Sequence, residues 1–198
     1  MRFCTLEQSL PATWNEVAAT LWERYPNSHS KHVLTEDTLS RHVDPNSGCL
    51  ITRRLLSKVN SVPAPAWGKV FVAGVGKSVQ MIEDSIVDPI AQTFTTVTHN
   101  LGLSRVMCLR ERCVYKWNKD GSSTLVVKDA IFSSGIRGFG AAIEKFSKER
   151  YCKNANRAYF GLLDALKRRS IYIPHSILPV YLRHQPRLYL ARLLPLLR

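Results

Sequence analysis

Alternating hydrophobic and polar positions dominate the middle of the chain, and turn residues break the alternation at regular intervals. This period of two residues is typical of strands with one buried face. We predict about seven strands, most of them paired with their sequence neighbours in an antiparallel sheet. The predicted strands cover residues 2–7, 32–43, 50–58, 78–87, 93–100, 105–117 and 123–133.

Helical spacing marks the two flanks of this region. Residues 11–24 place apolar side chains on one face, and Thr13 with Glu16 forms a capping box at the start. Residues 139–169 predict one long C-terminal helix. A long helix after an antiparallel sheet indicates an α+β fold in which the helix is buried across one concave face of the sheet.

Two further segments depart from these patterns. Residues 60–77 contain two prolines and three glycines among apolar residues, as in a covered connection or a mobile lid. From residue 170 onward the chain becomes rich in leucine, proline and arginine and contains no acidic residue. We therefore predict a main domain over residues 1–169 and a basic tail over residues 170–198.

The charge balance narrows the class of partner. Lys and Arg total 28 against 15 Asp and Glu, a net charge of +13, which favours a polyanion, an acidic membrane surface or a phosphate-bearing ligand. No stretch reaches the roughly 20 apolar residues of a membrane-spanning helix, and Glu7 and Gln8 interrupt the N-terminus. These features predict a soluble protein that is not secreted.

Motifs for catalysis or metal binding are absent from the sequence. Residues 74–78 resemble the end of a phosphate-binding loop, but position 71, where the leading glycine belongs, is Phe71. No nucleophile elbow and no metal-spaced His/Cys cluster is present. The five scattered cysteines are typical of reduced structural thiols. We expect no enzyme activity, no cofactor and no metal.

The last predicted helix carries the most informative pattern. One of its faces begins with apolar residues and continues, without changing direction, as polar and cationic ones: Phe139, Ile143, Phe146, Arg150, Asn154 and Arg157. Either the cations are solvated, or they point into a cavity suited to an amphiphile with an anionic head group. Lys58 and His32 would supply further donors in the second case. Nucleic acid is the other candidate anion, but no RNA- or DNA-binding motif supports it.

Several strings of residues resemble the PRELI family of mitochondrial lipid-transfer proteins. The first runs from Arg24 to Asn27 and continues through residues 30–37. Further matches follow in the same order and spacing along the chain, at residues 53–58, 83–89, 95–100, 111–115 and 133–135. The resemblance covers about residues 1–169.

This resemblance implies a fold and a cargo. The fold would be a curved seven-stranded sheet wrapped on the C-terminal helix, enclosing a cavity for one phospholipid under a lid loop. The sequence of residues 30–37 is similar to that of the PRELI-like branch of the family. Members of this branch carry phosphatidic acid from the outer to the inner mitochondrial membrane for cardiolipin synthesis. They work in the intermembrane space with a small helical partner that carries twin paired cysteines, and they contact anionic membranes peripherally.

The family's functional positions can be carried over to this chain. The implied head-group contacts are Arg24, His32, Lys58, Arg150, Asn154 and Arg157. The implied lid and membrane contacts are Pro63, Trp67 and Phe71. The resulting hypothesis is a non-enzymatic carrier of phosphatidic acid. The alternatives are a phosphatidylserine carrier of the same fold, or an adaptor that binds anionic membranes without moving lipid.

Overall fold

The computed structural model describes residues 1–59, 68–72, 76, 78–104, 106–119 and 121–172. Seven strands form one antiparallel sheet, as the alternation predicts. In chain order they are β1 (Arg2–Leu10), β2 (Val33–Val43), β3 (Leu50–Val59), β4 (Ser78–Asp88), β5 (Thr93–Asn100), β6 (Cys108–Trp117) and β7 (Thr124–Ser133). Their order across the sheet is β1-β7-β6-β5-β4-β3-β2, so β1 joins at the far edge beside β7.

Three helices complete the described part of the chain: α1 (Trp14–Thr20), α2 (Lys69–Val72) and α3 (Gly140–Tyr172). The helix α3 confirms the prediction of one long C-terminal helix, and it packs against β1 and β7. The helix α2 lies in the segment that we expected to be a loop. None of these helices contains an apolar stretch long enough to cross a bilayer.

The helix α1 has the predicted cap at Thr13 but is shorter at both ends than the predicted residues 11–24. Thr13 accepts a hydrogen bond from the Glu16 backbone, and Glu16 accepts one from the Thr13 backbone, which confirms the capping box. The helix stops at Thr20, whereas the periodicity predicted residue 24. The chain leaves the helix there because Trp22 turns onto the sheet, where its ring stands 5.2 Å from that of Phe94.

The apolar core occupies one end of the concave face. It is formed by side chains of α1, of the sheet and of α3, which together exclude water: Leu10, Trp14, Val17, Leu21, Leu50, Val87, Phe94, Tyr115, Val126 and Leu162. Burial of this size is the main stabilising contribution to such a fold. Apart from a smaller apolar cluster at Cys4, Ala130 and Phe132, the remainder of the concave face is left for other side chains.

A buried network of charges lies directly beside this core. The Glu83 carboxylate on β4 accepts hydrogen bonds from both Arg24 and Arg54. Arg54 also donates to Glu36 across 2.6 Å, and its guanidinium stacks on the Trp22 ring at 5.0 Å. Glu83 is 3% exposed and Arg54 is 2% exposed, so solvent screens this network very little.

The network makes a prediction about stability and pH. Burial by itself would raise the pKa of Glu83, but Arg24 and Arg54 lower that pKa to about 2. A carboxyl with a lowered pKa stabilises the fold above its unfolded pKa of 4.5, and this contribution is lost as the pH falls toward 2. The substitution Glu83→Gln should lower the free energy of unfolding at pH 7 by about 3–5 kcal/mol, because it leaves the buried Arg24 without its anion and Arg54 with Glu36 alone.

Denaturant unfolding of Glu83→Gln and of the unchanged chain, at several pH values, measures this effect. The difference in the free energy of unfolding between the two proteins should become smaller as the pH falls below 4.5. Asp84→Asn is the matched control, because Asp84 is the next residue on β4 and pairs with Arg53 on the exposed face. It should cost less than about 1 kcal/mol. Equal losses from the two substitutions would contradict a special role for the buried network.

Candidate functional site

A cavity of about 720 Å³ lies between α3 and the concave face of the sheet. Its volume is within the range of small-molecule and cofactor sites, about 300–1,000 Å³. A large part of its wall is aliphatic: Leu10, Leu21, Leu56, Val79, Met81, Leu103, Met107, Leu109, Val126 and Leu162. Such a wall favours the apolar part of a ligand.

All six predicted head-group residues line this cavity: Arg24, His32, Lys58, Arg150, Asn154 and Arg157. They come from three separate parts of the chain. Two pieces of local structure align them. His32 precedes β2 and accepts a hydrogen bond from the Val59 backbone, next to Lys58 on β3. On α3, the spacing of four and then three residues places Arg150, Asn154 and Arg157 on one face.

The positive charges of this cluster perturb each other. Burial lowers the pKa of His32 below its ordinary value, and the charges of Lys58, Arg150 and Arg157 lower it further. Burial and the neighbouring Arg157 also lower the pKa of Arg150. In the described part of the chain, no carboxylate forms an ion pair with Lys58 or with Arg157. The cluster therefore attracts an anion, and phosphate suits the planar fork of arginine well.

Arg24 differs from the other five residues. It lines the cavity, but its guanidinium already donates to Glu83 and lies 4.9 Å from the Tyr25 ring. Burial by itself would lower the pKa of Arg24, whereas the Glu83 charge raises it above the ordinary value. The structure thus gives Arg24 a role in holding the wall in place.

The segment between Arg24 and His32 closes one side of the cavity because it is held against α3. The Asn27 side chain donates to the Arg24 carbonyl and accepts from the His29 backbone, which fixes the turn. On α3, Gly161 faces this turn so closely that a Cβ atom there would lie 2.7 Å from the Asn27 amide oxygen. A glycine is therefore required where the helix approaches the turn.

Four charged residues of the cavity wall were missed by the sequence analysis: Lys31, Glu83, Glu111 and Lys128. Lys128 on β7 is only 9% exposed, and no carboxylate of the described chain is within ion-pair distance of it. Glu111 on β6 lines the same cavity. A signal for Lys128 was present, because it occupies an inward position of β7 between the buried residues Val126 and Ala130. A lysine in the buried phase of a strand is rare unless it serves a ligand or an ion pair.

Of the three predicted lid residues, Phe71 is part of α2, and its ring lies 5.2 Å from that of Phe139 just before α3. This contact ties α2 to the start of the long helix. Pro63 and Trp67 lie outside the described residues. Within the described residues, no group of His, Cys, Asp and Glu side chains is arranged to hold a metal ion.

Solved structures share the fold at low sequence identity. An aromatase/cyclase, ZhuI from Streptomyces sp. R1128, superimposes with a TM-score of 0.54 and 11% identity. The match covers 85% of this chain and 94% of that one. At this identity the likeness concerns the fold alone, since one fold hosts many activities.

Sequence comparison is more specific. The chain is 44% identical to "PRELI domain-containing protein 1, mitochondrial" of Mus musculus over 154 residues, which is 77% of this chain and 70% of the mouse protein. It is 33% identical to "Protein UPS1, mitochondrial" of Saccharomyces cerevisiae over 159 residues, 80% of this chain and 89% of the yeast protein. The model of the PRELI-like family matches residues 15–171, which include every strand from β2 to β7 and the cationic face of α3. The protein belongs to the PRELI-like family.

Proposed function

We propose that the protein is a non-enzymatic carrier that takes one acidic phospholipid, foremost phosphatidic acid, from a membrane into its cavity. It would move this lipid from the outer to the inner mitochondrial membrane, across the intermembrane space, in support of cardiolipin synthesis. The observation that carries the proposal is the convergence of His32, Lys58, Arg150 and Arg157 on one cavity that also has a large aliphatic surface in its wall.

The chemistry of the cavity matches the two parts of this lipid. The phosphate would accept hydrogen bonds from Lys58 and from the two arginines of α3, and it would supply a negative charge to Lys58 and Arg157, which form no ion pair in the described part of the chain. The acyl chains would replace water along the aliphatic wall, which is favourable in proportion to the area covered. No covalent step is needed for extraction and release. Relatives that are named mitochondrial support the location in this organelle.

The proposed setting includes a partner and a surface. We expect the chain to work with the small twin-cysteine helical protein that the family resemblance implies, and to touch anionic membranes only weakly. The net charge of +13 favours such docking. Docking must stay weak and salt-dependent, since a carrier bound firmly to its donor membrane would deliver its lipid slowly.

Charge reversal tests the head-group site. Arg157→Glu and Lys58→Glu should each slow the transfer of labelled phosphatidic acid between donor and acceptor liposomes by about 30-fold or more, because each loses a charge-assisted hydrogen bond worth about 2–3 kcal/mol and adds repulsion. Transfer is measured with the chain co-expressed with its twin-cysteine partner. Lys153→Glu is the matched control, because Lys153 is an exposed residue of α3 outside the cavity lining. If Lys153→Glu slows transfer as much as Arg157→Glu does, general membrane attraction explains the effect.

Lys128 yields a second prediction with two opposite outcomes. Lys128 is only 9% exposed and has no carboxylate within ion-pair distance in the described chain, so its charge does not stabilise the empty protein and Lys128→Met should keep or raise Tm. If the lipid phosphate or its ester oxygens reach Lys128, the same substitution should slow transfer by about tenfold, equivalent to about 1.4 kcal/mol of lost binding. Thermal unfolding and liposome transfer measure the two effects. A lower Tm would show that Lys128 supports the fold and has a partner there.

Glu111 supports the phosphatidylserine alternative. A half-buried carboxylate in the cavity wall could accept hydrogen bonds from the ammonium of a serine head group, which phosphatidic acid lacks. Transfer of each lipid by the unchanged chain and by Glu111→Gln separates the two cargoes. Transfer of phosphatidic acid should be fast and unaffected by Glu111→Gln. If phosphatidylserine is the cargo, its transfer is the faster and Glu111→Gln slows it. A folded complex that transfers neither lipid is an adaptor.

A further inference from the structure

Two cysteine thiols from distant parts of the chain meet beside the cavity. Cys4 lies on the edge strand β1 and Cys152 on α3, and their Sγ atoms are 3.1 Å apart. Both are free thiols, Cys4 buried at 7% exposure and Cys152 half-buried. No other two cysteine sulfurs are in contact within the described part of the chain. The pair is therefore a local feature of the β1–α3 interface.

The surroundings hold this pair in place. Cys4 packs with Ala130 and Phe132 of β7, and Cys152 packs against the same cluster beside Tyr151. The Tyr151 and Phe132 rings are 5.4 Å apart, edge to face. A disulfide has an S–S distance of about 2.05 Å, so the two sulfurs need to approach each other by only about 1 Å. A side-chain rotation on two packed elements can supply such a movement.

We propose that Cys4 and Cys152 form an oxidation site, at which a disulfide-bearing oxidant, such as oxidised glutathione or a protein disulfide, converts the two thiols into one intramolecular disulfide. The inference does not depend on the lipid cargo. It assigns a covalent modification to residues that the proposed carrier function does not use.

The reaction balances as two successive thiol–disulfide exchanges. Burial, followed by the hydrogen bond to Cys152, raises the pKa of Cys4 to about 11, so Cys4 is protonated at neutral pH and the more exposed Cys152 reacts first. The Cys152 thiolate attacks the oxidant, which forms a mixed disulfide and releases one thiolate. Cys4 then loses its proton and attacks the Cys152 sulfur, which releases the second thiolate. The oxidant gains two electrons, and its two thiolates take up the protons of the two cysteines.

The disulfide would join the first strand to the middle of the last helix. The loop that it closes contains nearly the whole sheet, and closing a long loop restricts the unfolded chain strongly. It would also fix the part of α3 that carries Arg150 and Asn154, since these residues flank Cys152 and line the cavity. Oxidation should therefore stabilise the cavity wall without adding a contact to the ligand.

Incubation of the full-length protein with oxidised glutathione tests the proposal, without any substitution. After blocking of free thiols and digestion, mass spectrometry should find one cross-linked peptide pair that contains Cys4 and Cys152. The oxidised protein should have two fewer reactive thiols, and its Tm should be at least about 5 °C above that of the reduced protein.

Variants provide the controls. Cys152→Ser and Cys4→Ala should each abolish the cross-link and the rise in Tm, whereas Cys49→Ser should behave like the unchanged chain, because Cys49 is a free thiol outside the pair. A glutathione adduct that persists on Cys152 would overturn the proposal, as would a disulfide between two protein molecules or one that involves Cys49, Cys108 or Cys113. A cross-link without any rise in Tm would overturn the stabilising role.

Discussion

The concave face of the sheet depends on one interaction, the pairing of the buried Glu83 carboxylate with Arg24 and Arg54. A charge at 3% exposure is tolerated only where opposite charges and hydrogen bonds replace the lost water. The pairing brings together the segment after α1 and the strands β3 and β4. The pairing thereby stabilises the polar inner face of the sheet in the region that the apolar core does not cover.

The same face holds cations of a second kind. Arg24 and Arg54 have their anion within the fold, whereas Lys58, Arg157 and Lys128 have no carboxylate partner in the described chain. An anionic ligand would do for these side chains what Glu83 does for the two arginines. The cations of the wall thus form two groups: those paired with a carboxylate of the protein, and those free to attract an anionic ligand. This arrangement is expected of the proposed carrier, which must also release its cargo.

The long helix α3 connects the core, the cavity and the N-terminus. Ile143, Ala155 and Leu162 are buried against the sheet, and Arg150 and Arg157 of the same helix line the cavity. Cys152 lies between Arg150 and Arg157 in the sequence of the helix, and its sulfur contacts Cys4 of the first strand. A single rigid element therefore couples the packing of the core to the position of the proposed head-group donors, so a change that fixes the helix also fixes the proposed site.

The sequence by itself determined the elements of this protein and most of the candidate site. Period-two alternation predicted seven strands, helical periodicity predicted α3, and the stripe from Arg150 to Arg157 indicated a cationic helix face. These signals are local, because a residue's neighbours at two, three or four positions dictate which face it shares. The sequence pattern also suggested Lys58 and His32 as further donors, and the family resemblance added Arg24 to the candidate site.

Only the tertiary structure decided which charged groups pair with each other and which cysteine sulfurs meet. Glu83 lies 59 positions from Arg24 and 29 from Arg54, and the two sulfurs lie 148 positions apart. No local pattern reports such partners, since they depend on which strands become neighbours and on how closely α3 approaches β1. The end of α1 was predicted wrongly for the same reason. The helix ends at Thr20 and not at residue 24, because contacts of Trp22 with the sheet outweigh the helical spacing of its own segment.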